Sequence, residues 1–168
     1  MEQVAQLVVF VLAQQRFGVW LRHVECVLAA AQTTPVPGAP PLVLGIIDLH
    51  GTMVPILDLR PRWLSSVPVV QVADQFIIVK SGPRRLGLLA NQTVGLAECP
   101  STAPGALGLL GRAGERFEGA VTLEDGLVLI HDVERFMRAS EALALDTAMA
   151  GMPGTDAHGD AAPQATVA

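Results

Sequence analysis

The amino-acid sequence predicts an all-β fold, a barrel or pair of barrels with one C-terminal helix. Short apolar runs of strand length recur at regular spacing along most of the chain. Gly, Pro, Asn and Asp punctuate them as turn residues. Hydrophobic residues make up 51% of the 168 residues and charged residues 16%, which leaves ample apolar surface for a core. The length fits one domain, or two small subdomains sharing one core.

Each element has a local reason. Leu7 to Ala13 is a brief valine-rich run, read as a strand buried on both faces. It is followed by a polar turn at Gln14-Gln15-Arg16 and a returning strand from Phe17 to Leu21. His23 to Ala31 carries alanines that favour helix, but Val24 and Val27 sit between strand candidates, so it is read mainly as strand. Thr33 to Leu42 is proline-rich and extended. Leu44 to His50 and Met53 to Leu59 form a hairpin around Gly51-Thr52. Pro55 cannot donate to a ladder, which predicts an edge or a bulge there.

Gln75 to Lys80, Arg84 to Ala90 and Thr93 to Glu98 are expected to form a further meander, with turns at Ser81-Gly82-Pro83 and Asn91-Gln92. The two meanders, before and after a Trp63–Val72 linker, suggest two similar subdomains. No repeat of 20–50 residues is legible. Cys99 to Gly114, rich in Gly, Ala and Pro, is a flexible excursion. Asp-Gly between Gly119–Leu123 and Leu127–His131 is the strongest hairpin signal in the chain. Asp132 then caps a helix with an apolar face of Val133, Phe136, Met137 and Leu143, and Glu134 suits its dipole. The expected domain is 1–147, with a disordered tail over 148–168.

Charge excludes some partners. Eleven Lys+Arg against sixteen Asp+Glu give a net charge of −5. Nucleic acid and anionic membrane surfaces need clustered cations, and here the arginines are scattered. The uncharged stretch from Cys26 to Ile47 is broken by Pro35, Pro37, Pro40 and Pro41, so it cannot make a spanning helix. The N-terminus lacks the basic region of a signal peptide, and Cys26 and Cys99 read as reduced thiols. A cytoplasmic protein is expected, with no cofactor.

Enzymatic signatures are sparse. There is no G-x-S-x-G, phosphate-binding glycine loop or C-x-x-C. Asp48-Leu49-His50 places an acid and an imidazole on one strand face, and with His131 and Asp132 a metal site can be drawn. The plainer account is the polar face of a hairpin. Cys26 and His50 are a second nominal pair, for a thiolate nucleophile, with nothing in the sequence that joins them.

The stretch from Pro35 to Arg60 is more specific. Pro37, Pro40 or Pro41, Gly45, Leu49, Gly51, Pro55, Asp58, Leu59 and Arg60 match a pattern close to P-x-x-P-x-x-x-x-G-V-x-N-L-R-G-x-x-x-P-V-x-D-L-R. This resembles the CheW family of bacterial chemotaxis coupling proteins. Leu7 to Val19 looks like the family's opening hairpin. Phe76 to Val94 looks like its central segment, and Leu127 to Arg135 like its closing strand and helix, so the likeness spans about residues 5–143.

The resemblance implies two SH3-like, five-stranded β-barrels around a shared core with a groove between them, a C-terminal helix, and no enzymatic activity. It implies two partners: a chemoreceptor cytoplasmic tip and the regulatory domain of a CheA-type histidine kinase. The protein would be recruited to receptor arrays at the membrane without inserting. Carried over to this chain, the partner-binding residues are Val24, Cys26, Val27, His50, Gly51, Asp58, Arg60 and Val94. Val24 and Val27 are three apart, so a bulge is needed if both line the groove. Asp58 and Arg60 share a face and can pair if the strand continues.

Three positions depart from the family: Asp48 for its usual Asn, His50 for Arg, and Cys26 for Glu. Their joint change suggests a divergent paralogue for an alternative motility or surface-sensing pathway. The rival readings are a capping or inhibitory relative that binds one partner only, and a small hydrolase using Asp48, His50 or Cys26.

Overall fold

Short apolar runs become strands and paired turn residues become hairpins. The computed structural model describes residues 3–100 and 117–152. Along these residues run β1 (Val4–Leu12), β2 (Gln15–Trp20), β3 (Val24–Ala29), β4 (Val43–Leu49), β5 (Thr52–Leu57), β6 (Gln75–Ser81), β7 (Arg84–Ala90), β8 (Gln92–Pro100), β9 (Phe117–Leu123), β10 (Gly126–His131) and the helix α1 (Ala139–Ala150). They form two five-stranded sheets, ordered β8-β1-β2-β10-β9 and β3-β6-β7-β5-β4. The expected all-β class, with two five-stranded subdomains and a C-terminal helix, is what the chain adopts.

The division between subdomains is not the expected one. The second sheet is contiguous in sequence, from β3 to β7. The first is split, with β1 and β2 completed by β8, β9 and β10. β8 therefore does not continue the meander of β6 and β7. It pairs with β1, Val8 facing Leu96.

Each sheet has the same plan: an antiparallel trio, one parallel junction and a hairpin. The parallel junctions are β2 with β10, at Ile130 opposite Gly18, and β7 with β5, at Ile56 opposite Gly87. Strands β8, β9, β10, β1 and β2 thus correspond in turn to β3, β4, β5, β6 and β7. The two sheets are circular permutations of one plan.

β1 joins the two cores because it is buried on both faces. Leu7 and Val9 enter a small cluster with Trp20, Cys99, Val128 and Ile130. Past a bulge between Val9 and Phe10, the residues Phe10 and Leu12 enter the large cluster, with Phe17, Val54, Ile56, Phe76, Ile78 and Leu88. Side-chain alternation over a two-residue period allows one strand to serve both. A polar chain also crosses the seam. Ala13 N–H donates to Asn91 Oδ1 at 2.8 Å, and Asn91 Nδ2 donates to buried Asp74 at 3.0 Å.

Several local expectations are corrected. Pro55 is buried in β5, which lies inside its sheet rather than at an edge. Its missing N–H is accommodated because the ladder to β7 begins only at Ile56. The β4–β5 turn is His50-Gly51, one residue earlier than expected, since Leu49 pairs with Thr52. Asp132 does cap, accepting from Glu134 N–H at 3.0 Å, but what it caps is a single 3-10 turn, Val133–Arg135. α1 starts at Ala139, where Arg138 N–H donates to the Glu141 carboxylate at 2.7 Å. Val133 and Phe136 are buried as expected, whereas Leu143 is exposed and Leu145 takes the inward position. α1 runs past the expected boundary at 147. The expected excursion after Cys99 and the tail beyond Met152 lie outside the described residues. Among the described residues no helix is long and apolar enough to cross a membrane.

Candidate partner-binding surface

Among the described residues β3 pairs only with β6, and β8 only with β1, so each is an edge of its sheet. The expected bulge is present in β3. Val24 faces Val79 and Cys26 faces Ile78, leaving Glu25 without a ladder partner. Glu25 instead pairs with Arg85 at 3.0 Å. The bulge does not bring Val24 and Val27 to one face. Val24 and Cys26 pack against the large core, while Val27 is 38% exposed. Burial raises the Cys26 thiol above its ordinary range, Glu25 adds to this, and Arg85 opposes it. The group is a protonated thiol at neutral pH.

β8 presents Val94 at 45% and Leu96 at 59% exposure, while Cys99 points into the small core. The two edges meet at Gln75. Its backbone pairs with Ala29 at the end of β3, and its side-chain Oε1 accepts from Thr93 N–H at the start of β8, at 2.7 Å. Val27 and Val94 therefore lie close to one junction, on separate sheets. Leu96 was not among the residues singled out from sequence. The alternation Val94, Leu96, Glu98 along one strand face is the signal that identifies it.

The tip of the β4–β5 hairpin is also exposed. His50 has φ of 52° and Gly51 of 83°, the paired left-handed residues of a type I′ turn. Asp48 Oδ1 accepts from Gly51 N–H at 2.7 Å and closes the turn. A local role thus occupies the carboxylate that a catalytic pair with His50 would need.

Asp58 and Arg60 do pair, but not on a surface. β5 ends at Leu57, and the two residues are 3% and 2% exposed. The Arg60 guanidinium donates to both Asp58 carboxylate oxygens at 2.9 Å, and Arg60 N–H to Oδ1 at 3.0 Å. A buried, bidentate pair of this kind holds the chain where the strand stops. It is structural, and neither side chain is presented to a partner.

The residues of the hydrolase reading are not brought together. The charges that act on Cys26, on β3, are Glu25 and Arg85, and among the described residues no hydrogen bond joins it to His50, which follows β4. Asp48 is engaged by its own turn. Among the described residues no group of three His, Cys, Asp or Glu side chains could hold a metal. His131, drawn into a metal site from sequence, is buried between aromatic rings.

A family model for the CheW-like domain matches residues 6–141. The chain is 23% identical over 145 residues to the chemotaxis protein CheW of Klebsiella aerogenes, covering 84% of this chain and 86% of that protein. It is 22% identical over 143 residues to the chemotaxis protein CheW of Treponema pallidum, covering 81% and 84%. Its fold matches the crystal structure of the scaffolding protein TtCheW from Thermoanaerobacter tengcongensis, with a TM-score of 0.71 at 20% identity over 84% of this chain and 92% of that one.

Proposed function

Because the chain belongs to the CheW-like domain family, we propose that it acts in chemotaxis-type signalling as a non-enzymatic coupler between two macromolecular partners. One is the helical cytoplasmic tip of a chemoreceptor. The other is the regulatory domain of a CheA-type histidine kinase. The protein works in the cytoplasm and is recruited to receptor arrays. Its functional unit is the domain that closes with α1.

The observation that carries this reading is the pair of exposed apolar edges, Val27 on β3 and Val94 with Leu96 on β8, meeting at Gln75. A helical tip would bury an apolar stripe there. The His50-Gly51 hairpin tip, with half-exposed Met53 beside it, offers a second surface for the kinase domain. Coupling further requires contacts that differ between two receptor states. His50 in place of a forked, always-charged arginine supports a divergent choice of partner.

The test is co-sedimentation of the full chain with receptor arrays and kinase. Wild-type protein is expected to recruit both. Val94→Glu with Leu96→Glu should weaken receptor recruitment by at least about tenfold, the effect of burying an unpaired charge, and leave kinase binding intact. Kinase binding with no receptor recruitment by the wild type would instead support the single-partner capping reading. Undiminished recruitment by the double variant would remove the edge strands from the mechanism.

A further inference from the structure

A second feature lies away from those edges, where α1 is tied to the contiguous sheet. A groove of about 610 Å³ runs between the helix, the start of β5 and the β6–β7 hairpin. Met53, Lys80, Arg84, Arg85, Asp146 and Met149 are its principal walls. α1 follows the split sheet in sequence, yet its ion pairs reach the other sheet and the turn after β5. Glu141 meets Arg62 at 2.8 Å, and Asp146 meets Arg84 at 2.6 Å.

The groove gathers a charge that the chain as a whole lacks. The net charge is −5, from eleven Lys+Arg against sixteen Asp+Glu. In the groove Lys80, Arg84 and Arg85 stand against Asp146 alone. Lys80, the only lysine in the chain, lies directly opposite Arg85 in the β6–β7 ladder. Like charges facing each other across an antiparallel pair are destabilising. The two arginines have local relief, because Arg85 pairs with Glu25 at 3.0 Å and Arg84 with Asp146. Lys80 is exposed, and among the described residues no hydrogen bond or ion pair meets it.

The Arg84 pair is open to exchange. The Asp146 side chain is 56% exposed and that of Arg84 29%, so water screens their attraction and a second carboxylate can replace the first at little cost. Met53 and Met149 add an apolar part to the groove, the first exposed and the second half-buried. Unbranched thioether side chains adapt to many apolar shapes. Nucleic acid fits this surface poorly, because among the described residues no aromatic side chain lines the groove to stack on a base.

We propose that this groove docks an acidic segment of a protein partner. Lys80 and Arg84 take its carboxylates, and Met53 and Met149 take an apolar side chain between them. Charge complementarity selects the occupant: a cationic face on an acidic chain draws an acidic segment to that face and repels it elsewhere. Lys80 brings an ammonium with three donors and no competing carboxylate. Asp146 holds Arg84 until an incoming carboxylate replaces it. The groove shares Met53 with the neighbourhood of the β4–β5 tip but carries its own charge, so it holds or fails independently of the coupling reading.

The test titrates the full chain at low salt with a fluorescein-labelled EELEELEE peptide and with its uncharged counterpart QQLQQLQQ, read by fluorescence anisotropy. The acidic peptide is expected to bind about tenfold tighter, against the net charge of the chain, and to be released by salt. Lys80→Glu should weaken it about fivefold or more. Asp146→Asn frees Arg84 and should tighten it about threefold. Both positions are exposed, so neither variant is expected to disturb the fold. Equal binding of the two peptides would overturn the proposal, as would an affinity for the acidic peptide that neither variant moves. Two other occupants have their own signatures. Tighter peptide binding after deletion of residues 153–168, which carry Asp156 and Asp160, would give the groove to the chain itself. A dimer in sedimentation velocity that Lys80→Glu dissolves would give it to a second copy. Either result would overturn a partner segment as the occupant.

Discussion

The contiguous sheet and the split sheet close in the same way and seal differently. In one, Val54-Pro-Ile-Leu-Asp58-Leu leads into a 3-10 turn. In the other, Val128-Leu-Ile-His-Asp132-Val does the same. Both aspartates accept the backbone N–H two residues on, each at 3.0 Å. Beyond that the environments diverge. Asp58 is sealed with Arg60, their side chains 4% and 3% exposed, whereas the partner of Asp132, Arg135, is 68% exposed at 3.3 Å. Leu57 completes a dense cluster, and its counterpart His131 walls a cavity. The shared motif thus fixes where a strand stops. The packing around it decides whether the same carboxylate is a surface cap or a buried anchor.

The sharpest way to break this comparison is to remove the two aspartates in turn. Asp58→Ala strands the Arg60 guanidinium in the interior and should destabilise the fold by about 3–5 kcal/mol. Asp132→Ala removes a cap and a largely exposed ion pair and should cost about 1–2 kcal/mol in the same chemical denaturation series. Equal losses would mean that burial does not separate the two sites.

The junction glycines form the next pair. A methyl group at Gly87 would collide with Ile56 and press Ile78 at 3.3 Å, inside the sealed core. At Gly18 the nearest neighbour would be Val128 at 3.2 Å, which need yield only slightly. Gly87→Ala is expected to cost about 1–3 kcal/mol and Gly18→Ala less than about 1 kcal/mol, read as a shift in denaturation midpoint.

A finer contrast uses acid. His131 has a folded pKa of about 3 against an ordinary value of 6.5, so the unfolded chain binds the extra proton between them. The stability due to neutral His131 is complete above pH 6.5 and is lost as pH falls toward 3, at about 1 kcal/mol per pH unit. His131→Leu should flatten that slope relative to wild type, the carboxylates being common to both. The smallest effect is expected at the exposed pair, where Arg135→Ala should change stability by about 0–1 kcal/mol.

What could be read from sequence was the local part. β1, β2 and the β9–β10 hairpin follow from apolar runs and turn residues, whereas Val27 and Val94 follow only from the family resemblance. Pairing was not legible, because β8 meets β1 across about half of the chain and no local signal specifies that partner. The kinship of Val54–Leu59 with Val128–Val133 is written in the sequence. It escapes a search for tandem repeats because one copy is permuted around the other. Asp58 and Arg60 were misplaced for a physical reason: period-two reasoning presumes a continuing strand, and β5 stops at Leu57. The His131 cavity has no sequence signature, since its walls come from segments far apart in the chain.

The permuted arrangement also sets an order of events during synthesis. Strands β3 to β7 contain everything their sheet needs and can close as soon as they leave the ribosome. β1 and β2 emerge first yet must wait for β8, β9 and β10, so the first hairpin made belongs to the last sheet finished. Until then the apolar faces of β1 have only the contiguous sheet to lean on. Truncation after β7 would leave that hairpin docked on one side and bare on the other, a species prone to aggregation.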